Sequence, residues 1–106
     1  MVDLGIVIVN YNVRDLLRDC LKSVFASRGD FAMEVCVVDN GSTDGSADMV
    51  TAEFPQVCLI RAENNGFAAG NNLGLRAFGF PDAGQFRYAL LLNPDTILPP
   101  SALADM

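Results

Sequence analysis

Apolar and polar positions alternate along the chain in two rhythms. Leu4-Gly5-Ile6-Val7-Ile8-Val9 is a continuous β-branched run, the pattern of a strand buried on both faces of a parallel sheet. Asn10-Tyr11-Asn12 ends it. Val13, Leu16, Leu17, Cys20, Leu21, Val24 and Phe25 then recur at helical spacing, with Arg14, Asp15, Arg18, Asp19 and Lys22 on the other face. Asn12 is the natural N-cap of this amphipathic helix, and Ser27-Arg28-Gly29-Asp30 closes it. Met33 to Val38 predicts a second strand. It runs into the polar, Gly-rich loop Asp39-Asn40-Gly41-Ser42-Thr43-Asp44-Gly45, which opens a weaker helix through about Phe54, stopped by Pro55. Asp44 sits where it can cap that helix.

Val57 to Ile60 predicts a short third strand. Glu63-Asn64-Asn65-Gly66 reads as a turn, followed by a helix from about Phe67 to Phe78. Tyr88 to Leu92 predicts a fourth strand that runs into Asn93-Pro94-Asp95-Thr96, a tight turn by composition. Pro99-Pro100-Ser101 then begins another helix, with proline early in its first turn. Strand and helix therefore alternate, which predicts an α/β domain with a mostly parallel sheet and right-handed crossovers. Four strands followed by the start of a helix make an incomplete sheet, so the 106 residues are expected to be the N-terminal piece of a larger domain.

Composition narrows the class. Hydrophobic residues make up 51%, enough for a packed core. No apolar stretch approaches the roughly 20 residues of a membrane span, and the acidic N-terminus lacks the basic region of a signal peptide. The net charge of −6 argues against nucleic-acid binding, which relies on Lys and Arg. With no histidine, histidine bases and His-ligated zinc are excluded within this chain. Cys20, Cys36 and Cys58 lie in apolar patterns without CxxC spacing and read as reduced, mostly buried thiols of a cytoplasmic protein.

Ligands of open α/β sheets bind beyond the carboxyl ends of the strands, where the strand order reverses. Asn10-Tyr11-Asn12, Asp39-Asn40 and Asn93-Pro94-Asp95 stand at such ends. With a strand order of 3-2-1-4, Tyr11, Asp39 and Asp95 would converge on one crevice. A tyrosine ring can stack on a nucleobase. One carboxylate can accept from a base or ribose, and a second can bind a hard divalent cation on a diphosphate. Each residue also has an ordinary structural reading: a packed ring for Tyr11, loop chemistry for Asp39 and Asn72, a turn for Asp95. Neither GxGxxG nor GxxxxGK[ST] occurs, which argues against dinucleotide and P-loop sites. A self-contained, non-catalytic nucleotide-binding module is the competing reading. A nucleotidyltransferase would need a Gly-rich basic loop after the first strand, and Asn10-Tyr11-Asn12-Val13 does not supply one.

Four segments in order carry a resemblance: Val7-Ile8-Val9-Asn10-Tyr11-Asn12, Val37-Val38-Asp39-Asn40-Gly41-Ser42-Thr43-Asp44-Gly45-Ser46, Asn65-Gly66-Phe67-Ala68-Ala69-Gly70-Asn71-Asn72-Leu73-Gly74 and Leu92-Asn93-Pro94-Asp95-Thr96. Together they resemble the donor-binding half of a family 2 inverting glycosyltransferase of the Rossmann-like, three-layer GT-A fold. The resemblance implies a nucleotide-sugar site of Asn10, Tyr11, Asn12, Asp39, Asn40, Asn72 and Asn93, with Asp95 holding Mg2+ or Mn2+. In the family's DxD-type motif the first acid is Asn93 here, and the common arginine of the third segment is Asn71. The Asn-Pro-Asp-Thr form is most similar to the rhamnosyltransferase subgroup, which implies a dTDP- or UDP-sugar donor, dTDP-rhamnose in particular. The implied acceptor is a saccharide or lipid-linked sugar in cell-surface polysaccharide synthesis. The full enzyme would work in the cytoplasm at the inner face of the membrane, with peripheral membrane association. The family's general base lies well after the metal motif, so no catalytic residue is expected within the chain. Residues 1–106 are expected to bind donor without transferring sugar, and an exposed half-sheet makes self-association an expectation.

Overall fold

The computed structural model describes residues 2–27, 33–63, 72, 74, 76 and 86–97. The elements run β1 (Val2–Asn10), α1 (Arg14–Ala26), β2 (Met33–Asp39), α2 (Ser46–Glu53), β3 (Cys58–Arg61) and β4 (Phe86–Leu92). Asn72, Gly74 and Arg76 lie in helical backbone, within the helix expected between the third and fourth strands. The rest of that helix, and the segment from Pro99 onward, fall outside the described residues.

The four strands form one parallel sheet in the order β3-β2-β1-β4, the order on which a crevice at the switch point depends. β1 lies between β2 and β4, and every residue from Leu4 to Asn10 is buried. Alternate side chains enter different layers. Leu4, Ile6 and Ile8 join Val35 and Val37 of β2, Leu17, Cys20, Leu21 and Val24 of α1, and Met49 and Val50 of α2. Val7 and Val9 join Cys36 and Val38 on the opposite face. β4 starts at Phe86, two residues before the apolar run predicts, because pairing with Val2 extends the ladder backward. Among the described residues, no helix is long and apolar enough to cross a membrane.

α1 follows its amphipathic pattern with two departures. Leu17, Cys20, Leu21 and Val24 are buried. Burying an aliphatic side chain of this size is worth about 1.5–3 kcal/mol, so this stripe fixes the helix to the sheet. Leu16, expected in that stripe, is 48% exposed: it lies on the first turn, where the helix extends past the strands it covers. Asn12 is not the N-cap. Val13 holds that position without a side-chain cap, because Asn12 takes a left-handed conformation (φ 52°) and turns its amide to another loop. Phe25 and Phe54 stack at 6.1 Å and tie together the C-terminal ends of α1 and α2.

The second layer comes very close at Gly74. A methyl group there would lie 2.3 Å from Cγ1 of Val7, a fully buried side chain on the central strand. Val7 is β-branched and held in one rotamer by its neighbours, so it has little room to yield. Gly74→Ala is expected to destabilise the fold by about 1–3 kcal/mol through overpacking. Urea unfolding would measure it, and adding Val7→Ala should recover part of the loss.

Candidate functional site

The carboxyl ends of β1 and β2 are joined by a dense polar network. Asn10 and Asp39 are direct partners in the β1–β2 register, and the backbone N–H of Asn40 donates to the Asn10 carbonyl at 2.8 Å. Asp39 is only 3% exposed, and both of its oxygens are engaged. The Ser42 N–H donates to Oδ2 at 3.0 Å and the Ser42 hydroxyl to Oδ1 at 2.7 Å. The fully buried Asn10 amide adds a bond from Nδ2 to Oδ1 at 3.1 Å. This arrangement is an Asx turn: a carboxylate at a strand end organises the loop that follows it.

Ser42 is a residue that the sequence pattern alone does not single out. Its hydroxyl donates to Asp39 and accepts from the Asn12 backbone at 2.9 Å and from Asn10 Nδ2 at 3.3 Å. It therefore holds both residues that flank Tyr11. The Thr43 N–H donates to Asn12 Oδ1 at 2.7 Å, closing the link from the other side. Tyr11 itself is 48% exposed, with its ring open to a ligand and its backbone anchored on either side. The signal that could have found Ser42 is an Asp-x-x-Ser spacing at a strand end, the Asx-turn pattern.

Asp44 has a wider role than capping its own helix. Oδ1 accepts from the Ser46 backbone at 3.0 Å and from the Ser46 hydroxyl, at the start of α2. Oδ2 accepts from the Arg14 N–H at 2.9 Å, the first residue of α1. One carboxylate thus caps two helix N-termini, where backbone N–H groups lack partners and negative charge is favoured. Burial pushes the Asp44 carboxyl up, but the hydrogen bonds from Ser46 and Arg14 outweigh it and hold the group below its ordinary value of 3.8.

At the other side of β1, the last β1–β4 ladder pair is Ile8 with Leu92, which sets the following turn beside the end of β1. The Thr96 N–H donates to the Asn93 carbonyl at 3.0 Å, so Asn93-Pro94-Asp95-Thr96 is the tight turn its composition predicts. The Cys20 thiol of α1 also reaches the Asn93 carbonyl, at 3.7 Å. Burial pushes that thiol up to about 11, with the nearby negative charge of Asp95 adding to the effect. Asp95 and Asn93 are exposed, as is Asn72 on its helical backbone. Asn10 and Asn40 are buried, so they support the crevice wall from behind. Arg61 and Asp48 form an exposed surface pair at 3.0 Å, of a kind worth about 0–1 kcal/mol. Among the described residues, no three acidic or thiol side chains cluster to hold a metal ion.

A carboxylate held at the end of β2, an aromatic ring after β1 and an acidic turn after β4 thus face the switch point of a parallel sheet. The family described as "Glycosyl transferase family 2" matches residues 5–106. The chain belongs to glycosyl transferase family 2. An uncharacterized glycosyltransferase of Bacillus subtilis strain 168, YfnE, is 38% identical over 75 residues, covering 68% of this chain and 19% of that protein. GlyA of Streptococcus pneumoniae is 35% identical over 74 residues, covering 66% of this chain and 10% of the relative. This family 2 chain therefore spans a fifth or less of the length of those two curated relatives. Its fold is that of S. aureus TarS 1–349 in complex with UDP-GlcNAc, with a TM-score of 0.76 at 21% identity over 97% of this chain and 29% of that one. The mannosyltransferase PcManGT from Pyrobaculum calidifontis, in complex with GDP-Man and Mn2+, superposes with a TM-score of 0.72 at 24% identity, over 93% of this chain and 31% of that one.

Two outcomes follow from the network. Ser42→Ala leaves Asp39 and Asn10 with unmet buried hydrogen-bonding groups, a loss of about 1–3 kcal/mol in denaturant unfolding. Asp44 is held below its ordinary value, so its stabilisation is complete above that value and is lost as pH falls through it. Between pH 5 and 3, the urea midpoint of the unmodified chain is expected to fall more steeply than that of Asp44→Asn.

Proposed function

We propose that this chain is the nucleotide-sugar-binding part of a glycosyltransferase domain, spanning residues 1–106, and that the whole enzyme transfers a sugar to a saccharide or lipid-linked acceptor with inversion. The observation that carries this reading is the Asp39 carboxylate, held by Ser42 and Asn10 at the sheet's switch point, next to the half-exposed Tyr11. A fixed carboxylate suits a base N–H or a ribose hydroxyl, and the ring offers a stacking face. Asn12 and Asn40 shape the same rim, while Asn72 and Asn93 supply exposed amides to the donor. The donor we favour is a dTDP- or UDP-sugar, with rhamnose as the sugar, on the strength of the Asn-Pro-Asp-Thr turn. The product would enter cell-surface polysaccharide, made at the cytoplasmic face of the membrane.

A divalent cation, Mg2+ or Mn2+, fits the residues present. Asp95 is an exposed carboxylate on a proline-fixed turn, and hard cations of this kind use one or two carboxylates together with substrate phosphates. Bound there, the ion would neutralise charge on the nucleoside diphosphate leaving group. Asp95 would hold it, with Asn93 contributing a neutral amide. Of the two crevice acids, Asp39 has both oxygens engaged and Asp95 serves the metal, so neither is left to take a proton from the acceptor hydroxyl. The isolated chain is thus expected to bind donor without transferring sugar.

Titration of UDP, dTDP and GDP, with and without Mn2+, tests this by calorimetry. Binding of UDP or dTDP should strengthen with Mn2+, and Asp95→Ala should remove the metal-dependent gain. Asp39→Asn should weaken binding about 10–100-fold, the equivalent of one charged hydrogen bond. Metal-dependent binding that survives Asp95→Ala would refute the role given to Asp95. Sugar transfer by the isolated chain would refute its passive role.

A further inference from the structure

We propose that Cys36 and Cys58 form a redox-modification site: a dithiol that closes reversibly to a disulfide between β2 and β3 by exchange with a low-molecular-weight disulfide. The two residues are direct partners in the parallel β2–β3 register. Directly paired positions on neighbouring strands lie about 4.8 Å apart, inside the roughly 4.4–6.8 Å over which a disulfide joins two Cα atoms. Both side chains leave the same face. Cys36 packs with Val38 in the smaller core cluster, and Ile60, two residues after Cys58 and partner of Val38, packs against it. The pair is asymmetric: Cys58 is exposed on the strand at one end of the sheet order, and Cys36 is fully buried behind it. Cys20 lies on α1, in the layer on the other face of the sheet, and has no place in the pair.

This asymmetry assigns the steps. The Cys58 thiolate attacks the small disulfide, forming a mixed disulfide and releasing one thiolate. The sulfur of Cys36 then attacks the Cys58 sulfur. The Cys36–Cys58 bond forms, the bond to the small molecule breaks, and the proton of Cys36 ends on the departing thiol. Two electrons pass from the protein to the small disulfide, which leaves as two thiols. Burial pushes the Cys36 thiol up to about 12, with the neighbouring Cys58 adding to it. The second step is therefore the slow one, and its rate should rise about tenfold per pH unit across the neutral range, as the thiolate fraction does. An exposed disulfide of this kind is readily reduced again. The link would fall on the strand that ends in Asp39, and it stands independently of the proposed function.

Oxidised glutathione is the probe, with non-reducing peptide mapping by mass spectrometry as the readout. The full chain should pass through a transient glutathione adduct at Cys58 to a Cys36–Cys58 crosslink, with Cys20 still free to alkylate and dithiothreitol restoring both thiols. Cys36→Ala and Cys36→Ser should each trap the adduct at Cys58. Cys58→Ser should leave Cys36 unreacted, and Cys20→Ser should behave as the unmodified chain. A lasting adduct at Cys58 in the unmodified chain, a link between two copies, or no reaction at Cys58 would overturn the proposal. Because the crosslink is sought in the unmodified chain, the test holds even where a Cys36 variant fails to fold.

Discussion

Burial of β1 on both faces is the constraint on which the rest of the structure depends. Seven consecutive residues, Leu4 to Asn10, are shielded from water, so the backbone N–H and C=O groups of the strand must be satisfied within the sheet. β2 and β4 do this from either side, both parallel to β1. Parallel neighbours require crossover connections, and the helices that make those crossovers are the layers that bury the strand. Placing β1 between its neighbours thus generates the switch point where the polar loops gather. Val7 shows how little space this leaves, since the second layer approaches it through a glycine.

The site is assembled from the loops that leave this sheet, and each loop is held by more than its own turn chemistry. Ser42 connects the end of β2 to both residues flanking Tyr11. Asp44 connects the same loop to the starts of two helices. Cys20 connects the middle of α1 to the turn that carries Asp95. The aromatic ring, the buried carboxylate and the exposed carboxylate therefore stand on a framework braced from α1 and β2. Such bracing is what a binding site needs if recognition is not to be offset by ordering loops at the moment of binding.

The chain's position in glycosyl transferase family 2 and the fold it shares with TarS and PcManGT agree with this architecture. Those two structures hold different nucleotide sugars, UDP-GlcNAc and GDP-Man, on the same fold. The framework thus carries the general task of presenting a nucleotide, and the choice of base and sugar falls to individual side chains on the loops.

The sequence by itself determined the order of elements, the parallel sheet and the residues at the strand ends. Those follow from local periodicity: a continuous β-branched run, a helical stripe and Gly- or Pro-containing turns leave few alternatives. It also marked Asn93-Pro94-Asp95-Thr96 as a turn, because proline and its neighbours act within four residues. Only the tertiary structure decided how the polar residues pair. Asn12 looked like a cap for the helix that follows it, yet it bonds to Thr43, and the cap comes from Asp44, thirty positions away in the chain. Leu16 carried the right spacing for the core, but the length of the strands beneath decides where a helical stripe stops being covered. Cys36 and Cys58 showed no motif spacing, since their proximity arises from the β2–β3 register. Hydrogen bonds and thiol pairs between distant segments have no local pattern. They are set by which strands lie side by side, and that is decided when the whole sheet closes around β1.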